Sequence, residues 1–352
     1  MNSPGSGKPG IKKLPQSRRR AINLSRRELV TGDYFKTEQT LPLVLQPAVA
    51  EVDLSAWAEE NRDFIESQLL RHGGLLFRNF ALEAAEDFER FCISVSDNLI
   101  EYRERSSPRS RIMGRVYSST DYPADQSIFL HNEHSYSLTF PLRLYFYCAT
   151  PAQSGGETPL ADTRRILTRI DPSVKAAFAN KHWMYVRNFG DGFGLPWQTV
   201  FQTTEKRIVE EYCRKSGIEY EWKEGERLRT RQVRSATTMH PRTGEEAWFN
   251  HATFFHVSTL EAGIRDFVLS QFMEEDLPNN TYYGDGSRIE NSVLDHLREV
   301  YLEELVTFPW QKGDVLLLDN ILAAHARAPY EGSRKILVTM ADPVTQNPPL
   351  YN

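Results

Sequence analysis

The chain has 352 residues, 40% hydrophobic and 25% charged, with 42 basic against 47 acidic side chains and a net charge of −5. This composition excludes a largely disordered chain, and it lacks the basic excess of a general nucleic-acid binder. No apolar run approaches the ~18 residues of a membrane span. One such run, Val315 to Leu318, is closed by Asp314 and Asp319. Cys92, Cys148 and Cys213 are odd in number and widely spaced, so neither a disulfide framework nor a CxxC metal site is expected. A reducing cytoplasm is the simplest compartment. The start lacks the apolar core of a secretory signal, so no cleaved leader is expected.

In chain order, residues 1–20 read as a flexible basic tail, rich in Gly, Pro, Lys and Arg. Residues 21–352 read as one domain, its globular part starting near Leu41. One amphipathic helix is expected over 55–72, capped by Ser55 and stopped by Gly73-Gly74. A strand follows over Leu75 to Phe80, then a helix over Glu83 to Val95. From Tyr117 the pattern changes to short strands. These are Ile128 to His131, Leu142 to Cys148, Val233 to Met239, Ala247 to Asn250, Val315 to Asp319 and Lys335 to Met340. Ser258 to Glu261 and Ser287 to Glu290 have the capping-box pattern, each before an apolar-periodic run. Residues 188–232 look like an insertion with a helix near Glu205 to Lys215. The expected fold is mainly β with helices: a jelly-roll core with N-terminal helices and a lid insertion.

His131-Asn132-Glu133 places an imidazole and a carboxylate on one face of an expected strand. Chance alone supplies about one such pair in a chain of this composition, so the pair carries no weight by itself. His325, just past the strand-like VLLLDN, changes that. Two histidines and a carboxylate on one face of a β-barrel form the facial triad of non-haem Fe(II) oxygenases. A bidentate 2-oxo acid and dioxygen then fill the open positions. Arg334 can fork onto the distal carboxylate of a 2-oxo acid, and Thr158 can add a hydroxyl.

The run HNEHSYSLTFPLRLYFYCATPAQSGGETPLADTR resembles the taurine-dioxygenase (TauD/TfdA) family of Fe(II)/2-oxoglutarate oxygenases. So do HPRTGEEAWFNH, His240 to His251, and WQKGDVLLLDNILAAHARAPYEGSRKILVTM, Trp310 to Met340. Glutamate as the acidic ligand resembles the clavaminate-synthase-like branch. The register, with RRRAINLSRRELV near the start, resembles the syringomycin-type hydroxylases found with nonribosomal peptide synthetases. The resemblance covers roughly residues 18–342. It implies Fe(II), with His131, Glu133 and His325 as ligands. It implies 2-oxoglutarate as cosubstrate, held by Thr158 and Arg334 with Arg327 the alternative, and O2 as oxidant. Residues 188–232 become the lid, and Asn132, Arg187 and Asn250 become candidates to face the substrate. The implied reaction is hydroxylation of an amino acid, free or tethered to a peptidyl carrier protein, with release of succinate and CO2.

Three alternatives stand beside this reading. Desaturation or another oxidation of a small acid can use the same centre. A zinc hydrolase can use two histidines and a glutamate, although no H-E-x-x-H is present and zinc leaves Arg334 and Thr158 without a role. A cupin-like binding protein without turnover would have no need of the intact triad. Lys223, Arg227, Arg229, Arg231 and Arg234 predict a basic face able to steer an acidic carrier.

Overall fold

The computed structural model describes residues 26–347 other than 37, 102–109 and 191–193. The tail over 1–20 and most of RRRAINLSRRELV lie outside the described residues. The first apolar-periodic stretch forms two helices, Leu54–Glu60 and Arg62–His72, where one was expected. Asp53 rather than Ser55 caps the first, its carboxylate accepting the Ala56 N–H at 3.1 Å. The break falls at Asn61, whose side-chain amide donates to the Trp57 carbonyl at 2.8 Å. Such local bonds compete with the helix ladder, and the Asn61 backbone leaves helical geometry at φ −121° and ψ 27°. Gly73 then ends the second helix at φ 74°, in the left-handed region that glycine adopts freely.

Gly74–Phe77 enters an eight-stranded sheet. Its order is Val30–Asp33, Leu43–Pro47, Gly74–Phe77, Val315–Asp319, Thr139–Thr150, Lys335–Thr345, Val116–Ser118 and Arg111–Met113. Neighbours are antiparallel except Leu43–Pro47 beside Gly74–Phe77. Both faces are apolar, and alternation along each strand decides which side chain goes where. Tyr145, Tyr147, Leu317 and Leu337 pack with Trp57, Leu69, Phe88 and Phe91 on the helical side. Leu144, Phe146, Leu316 and Val338 face the other way and pack with Leu160 and Ala323. Those two residues belong to a three-stranded antiparallel sheet, Ile128–His131, Ala323–Arg327 and Leu160–Asp162. The candidate site forms on this side.

Residues 188–232 are not a self-contained insertion. Their ends pair with each other in a four-stranded antiparallel sheet of Glu219–Trp222, Leu228–Arg234, Trp183–Phe189 and Asn279–Tyr283. The helix Lys206–Lys215 lies between them as expected. The expected strand from Val233 to Met239 splits, its second half forming the hairpin Thr237–Met239 with Glu246–Trp248.

Neither capping box forms. Glu261 caps Ala262–Gln271 itself through the Gly263 N–H, and Ser287 donates to Asp285 instead of capping Asn291–Glu303. Among the described residues, Lys223, Arg229, Arg231 and Arg234 do not gather into the expected basic face. Arg229 and Arg234 are buried, Lys223 and Arg229 pair with Asp276, and Arg231 pairs with Glu221. All three cysteines are buried and form no disulfide. No helix among the described residues is long and apolar enough to cross a membrane.

Candidate metal centre and active site

His131 ends its strand directly across from His325 on Ala323–Arg327, with ring centroids 4.4 Å apart. The strand stops at His131, so Glu133 reaches the pair from the loop rather than along a strand face. The candidate donor atoms of His131, Glu133 and His325 all lie within 4.8 Å of one another. Glu133 is 3% exposed and His325 5%. The Nδ1–H of His131 donates to the Phe129 carbonyl at 2.8 Å, which leaves Nε2 with its lone pair for a metal. A buried carboxylate beside two imidazoles, each able to offer one atom to one point, fits a divalent iron.

Asn320 shapes the loop. Its Oδ1 accepts the Glu133 N–H at 2.7 Å, and its Nδ2 donates to the carbonyls of Glu133 and Pro141 at 2.9 and 2.8 Å. Asn132 turns away and donates to the Asn320 carbonyl at 2.7 Å. Asp319 accepts the N–H groups of Ile321 and Leu322 at 3.0 and 3.1 Å, forming the turn that leads to His325. Its other oxygen accepts from His240 Nε2 at 2.9 Å. His240 Nδ1 accepts two backbone N–H groups, so the proton sits on Nε2. Sequence reasoning missed Asn320, Asp319 and His240 as supports. The available signal was Asp-Asn directly after an apolar strand, a turn pair too common to single out.

His251 and Phe254 form the next wall, with centroids 5.6 and 4.6 Å from the His131 ring. His251 bonds Ser135 Oγ at 2.5 Å. Burial, reinforced by the neighbouring His131, holds its pKa well below the usual histidine range. Asn250 donates to the Ala236 carbonyl at 2.8 Å and accepts the Ala252 N–H at 3.0 Å, which fixes the chain into His251.

A cleft beside the two histidines is lined by Phe146, Thr158, Arg327 and Arg334. Thr158 Oγ1 accepts from Trp310 Nε1 at 3.1 Å. Arg334 donates through Nε to the Gly156 carbonyl at 2.8 Å, and among the described residues its terminal nitrogens have no protein acceptor. Burial, followed by the nearby Arg327, lowers its pKa to about 10. Arg327 instead donates to the carbonyls of Tyr122, Pro123 and Gln126, bracing that loop. Arg187 lies on Trp183–Phe189, its guanidinium over the Tyr185 and Phe189 rings.

The fold and the buried histidine–carboxylate group form a candidate metal centre of the oxygenase type. The sequence matches the family described as taurine catabolism dioxygenase TauD, TfdA family, over residues 38–340. The chain belongs to that family and is a non-haem iron, 2-oxoglutarate-dependent dioxygenase. It is 41% identical over 280 residues to the dapdiamide synthesis protein DdaC of Enterobacter agglomerans, covering 80% of this chain and 85% of that one. It is 26% identical over 317 residues to a clavaminate synthase-like protein of Arabidopsis thaliana, covering 85% and 93%. A solved taurine dioxygenase from Burkholderia xenovorans shares 18% identity at a TM-score of 0.50, covering 87% of this chain and 86% of that one, a likeness of fold alone.

Proposed function

We propose that the protein hydroxylates an unactivated C–H bond of an amino acid in the making of a natural product, releasing succinate and CO2. The single observation that carries this reading is the convergence of His131, Glu133 and His325 beside a cleft that also holds Thr158 and Arg334. The likeness to a protein of dapdiamide synthesis supports an amino-acid-derived substrate, free or held on a peptidyl carrier protein. Residues 21–352 act as one jelly-roll catalytic unit, in the cytoplasm.

His131, Glu133 and His325 would hold iron(II), which would supply the activation of dioxygen. Arg334 presents its two terminal nitrogens to the distal carboxylate of 2-oxoglutarate, and Thr158 adds its hydroxyl. Arg327 braces the 122–126 loop through three of its backbone carbonyls. His251, Phe254 and Phe255 keep water from the reacting face. Glu133 would serve as the third protein ligand where a halide would otherwise have to bind, so the expected product carries oxygen rather than chlorine.

The test is succinate release by the iron-loaded protein with 2-oxoglutarate, followed by product mass spectrometry in saturating chloride. The expected product gains one oxygen atom, and His325→Ala loses all succinate release. A chlorinated main product, or hydrolysis by zinc-loaded protein without succinate, would overturn the reading.

A further inference from the structure

Six arginines among the described residues are buried: Arg78, Arg143, Arg187, Arg229, Arg234 and Arg327. Five donate to protein oxygens. Arg78 forks onto Asp314, Arg143 reaches Glu66, Arg229 reaches Asn188 and Asp276, and Arg234 and Arg327 reach backbone carbonyls. Arg187, only 9% exposed, has no hydrogen-bond acceptor and no carboxylate partner among the described residues. Its surroundings are the rings of Tyr185 and Phe189, at 5.7 and 4.7 Å from the guanidinium carbon. Aromatic faces attract a cation without neutralising it or filling its N–H groups. A guanidinium on a residue this buried keeps little water, and proteins hold such groups where something else can complete them.

A second orphan shares the face. Thr230 pairs with Arg187 across the ladder and Gln232 pairs with Tyr185, so all four side chains project from one side of the sheet. Gln232 is 4% exposed, and its Nε2 has no hydrogen-bond partner. Its Oε1 accepts from Arg234 at 3.4 Å, which turns the amide N–H groups away from that arginine. On the opposite face of the same ladder, Arg229, Asn188 and Asp276 complete one another.

The orphaned face adjoins the candidate metal centre. Tyr185 stacks on Phe255 at 4.3 Å, Phe255 on His251 at 4.6 Å, and His251 lies 5.6 Å from His131. Arg187 is not among the residues lining the cleft that holds Arg334, so the two arginines face different spaces.

We propose that Arg187 and Gln232 bind a carboxylate of the substrate, a planar oxyanion that takes a guanidinium fork and an amide N–H together. This rests on the reading of the protein as an amino-acid oxygenase and narrows it. A substrate held as a thioester must bring its carboxylate from its side chain.

Two experiments test this. The first screens the twenty common amino acids and their primary carboxamides for stimulated succinate release, in wild type and Arg187→Met. Replacing the recognised carboxylate by a carboxamide raises the wild-type KM on the order of 30-fold or more, as loss of a buried charge pair does, and raises that of Arg187→Met less than about 3-fold. Equal losses in both proteins overturn the proposal. Arg187→Lys recovers part of the carboxylate preference, because lysine keeps the charge and loses the fork.

The second experiment needs no substrate. Arg187→Met and Gln232→Leu in the ligand-free protein raise the urea midpoint, because each removes a largely buried polar group that no described residue completes. A clear fall for both shows a structural role and overturns the proposal. Wild type that releases no succinate under any condition sinks the oxygenase reading, while the midpoints still decide whether these two residues are built for a ligand.

Discussion

Asn320 contacts none of the groups that react, yet it holds the backbone of Glu133 at both its N–H and its carbonyl. Asn320→Ala removes three buried side-chain bonds, at roughly 1 kcal/mol each, and leaves the Glu133 N–H without an acceptor. Stability should fall by about 2–4 kcal/mol in urea unfolding. Affinity for Mn(II) or Fe(II), read by titration, should fall roughly 10–100-fold, as it does when a ligand's support is lost. Asn320→Asp should lose nearly as much, because it keeps the acceptor but sets a carboxylate against two carbonyls. Wild-type metal affinity in both variants would mean that Glu133 is oriented by something else.

Gly156 makes a comparable case for Arg334. Its φ is +72°, and a Cβ there would lie 3.0 and 3.1 Å from Arg334 Cδ and Nε. Gly156→Ala therefore strains the turn and displaces the arginine that its own carbonyl holds. The KM for 2-oxoglutarate should rise on the order of 10-fold, about 1.4 kcal/mol. Steady-state succinate release checks it, with Arg334→Ala as the larger effect at about 2–5 kcal/mol. An unchanged KM in Gly156→Ala would separate the turn from the cosubstrate.

At the scale of elements, the informative failures are the helix starts. Ser258 has the capping-box spacing to Glu261, yet His256 accepts the Ser258 N–H at 3.1 Å and opens the short helix Val257–Thr259. Arg298, arriving from the helix Asn291–Glu303, occupies the Ser258 and Thr259 hydroxyls. A contact from 40 residues away thus outcompetes a local motif.

Burial, with Arg298 adding to it, lowers the His256 pKa to about 4. The folded value lies below the unfolded 6.5, so the unfolded chain binds more protons in between. The contribution is complete above pH 6.5 and is lost as pH falls toward 4. Between pH 7.5 and 5, wild type should lose about 2 kcal/mol more stability than His256→Asn, which keeps a capping acceptor and does not titrate. Equal losses in wild type and variant, read by urea unfolding, would show that His256 takes up its proton as readily in the folded chain as in the unfolded one.

For the whole molecule, two neighbouring strands of the eight-stranded sheet are tied at their ends by a buried pair. Arg78, just past Gly74–Phe77, forks onto Asp314 at 3.0 and 2.7 Å, with side chains 8% and 1% exposed. Burial outweighs the arginine and keeps the Asp314 carboxyl above its usual range. Asp314→Asn should cost about 3–5 kcal/mol, because it strands a desolvated guanidinium, whereas Arg78→Met with Asp314→Leu should recover most of that loss. A double-mutant cycle on urea midpoints checks both. A double variant no better than Asp314→Asn would make the pair a source of stability in its own right.

The sequence by itself determined the elements whose limits are local. Ile128–His131 and Val315–Asp319 fall where the apolar runs begin and stop, and Gly73 ends its helix, because strand alternation and glycine's left-handed freedom act within a few residues. The pairing of His131 and Glu133 with a distant His325 was legible for a different reason, since only a few residue types can bind iron and their order along the chain narrows the choice. Tertiary structure alone decided what those residues lean on. The bracing of Glu133 by Asn320 spans 187 positions, and no local pattern marks one asparagine in a turn as its partner. The same holds for the basic residues of 223–234. Their sequence predicts a charged surface, but the ladder alternates them to opposite faces, where Arg229 finds Asp276, Arg234 finds backbone carbonyls, and Arg187 opposite is left with aromatic rings. A charge's partner depends on which chain segments the fold brings within hydrogen-bond reach, and that is a property of the packed molecule.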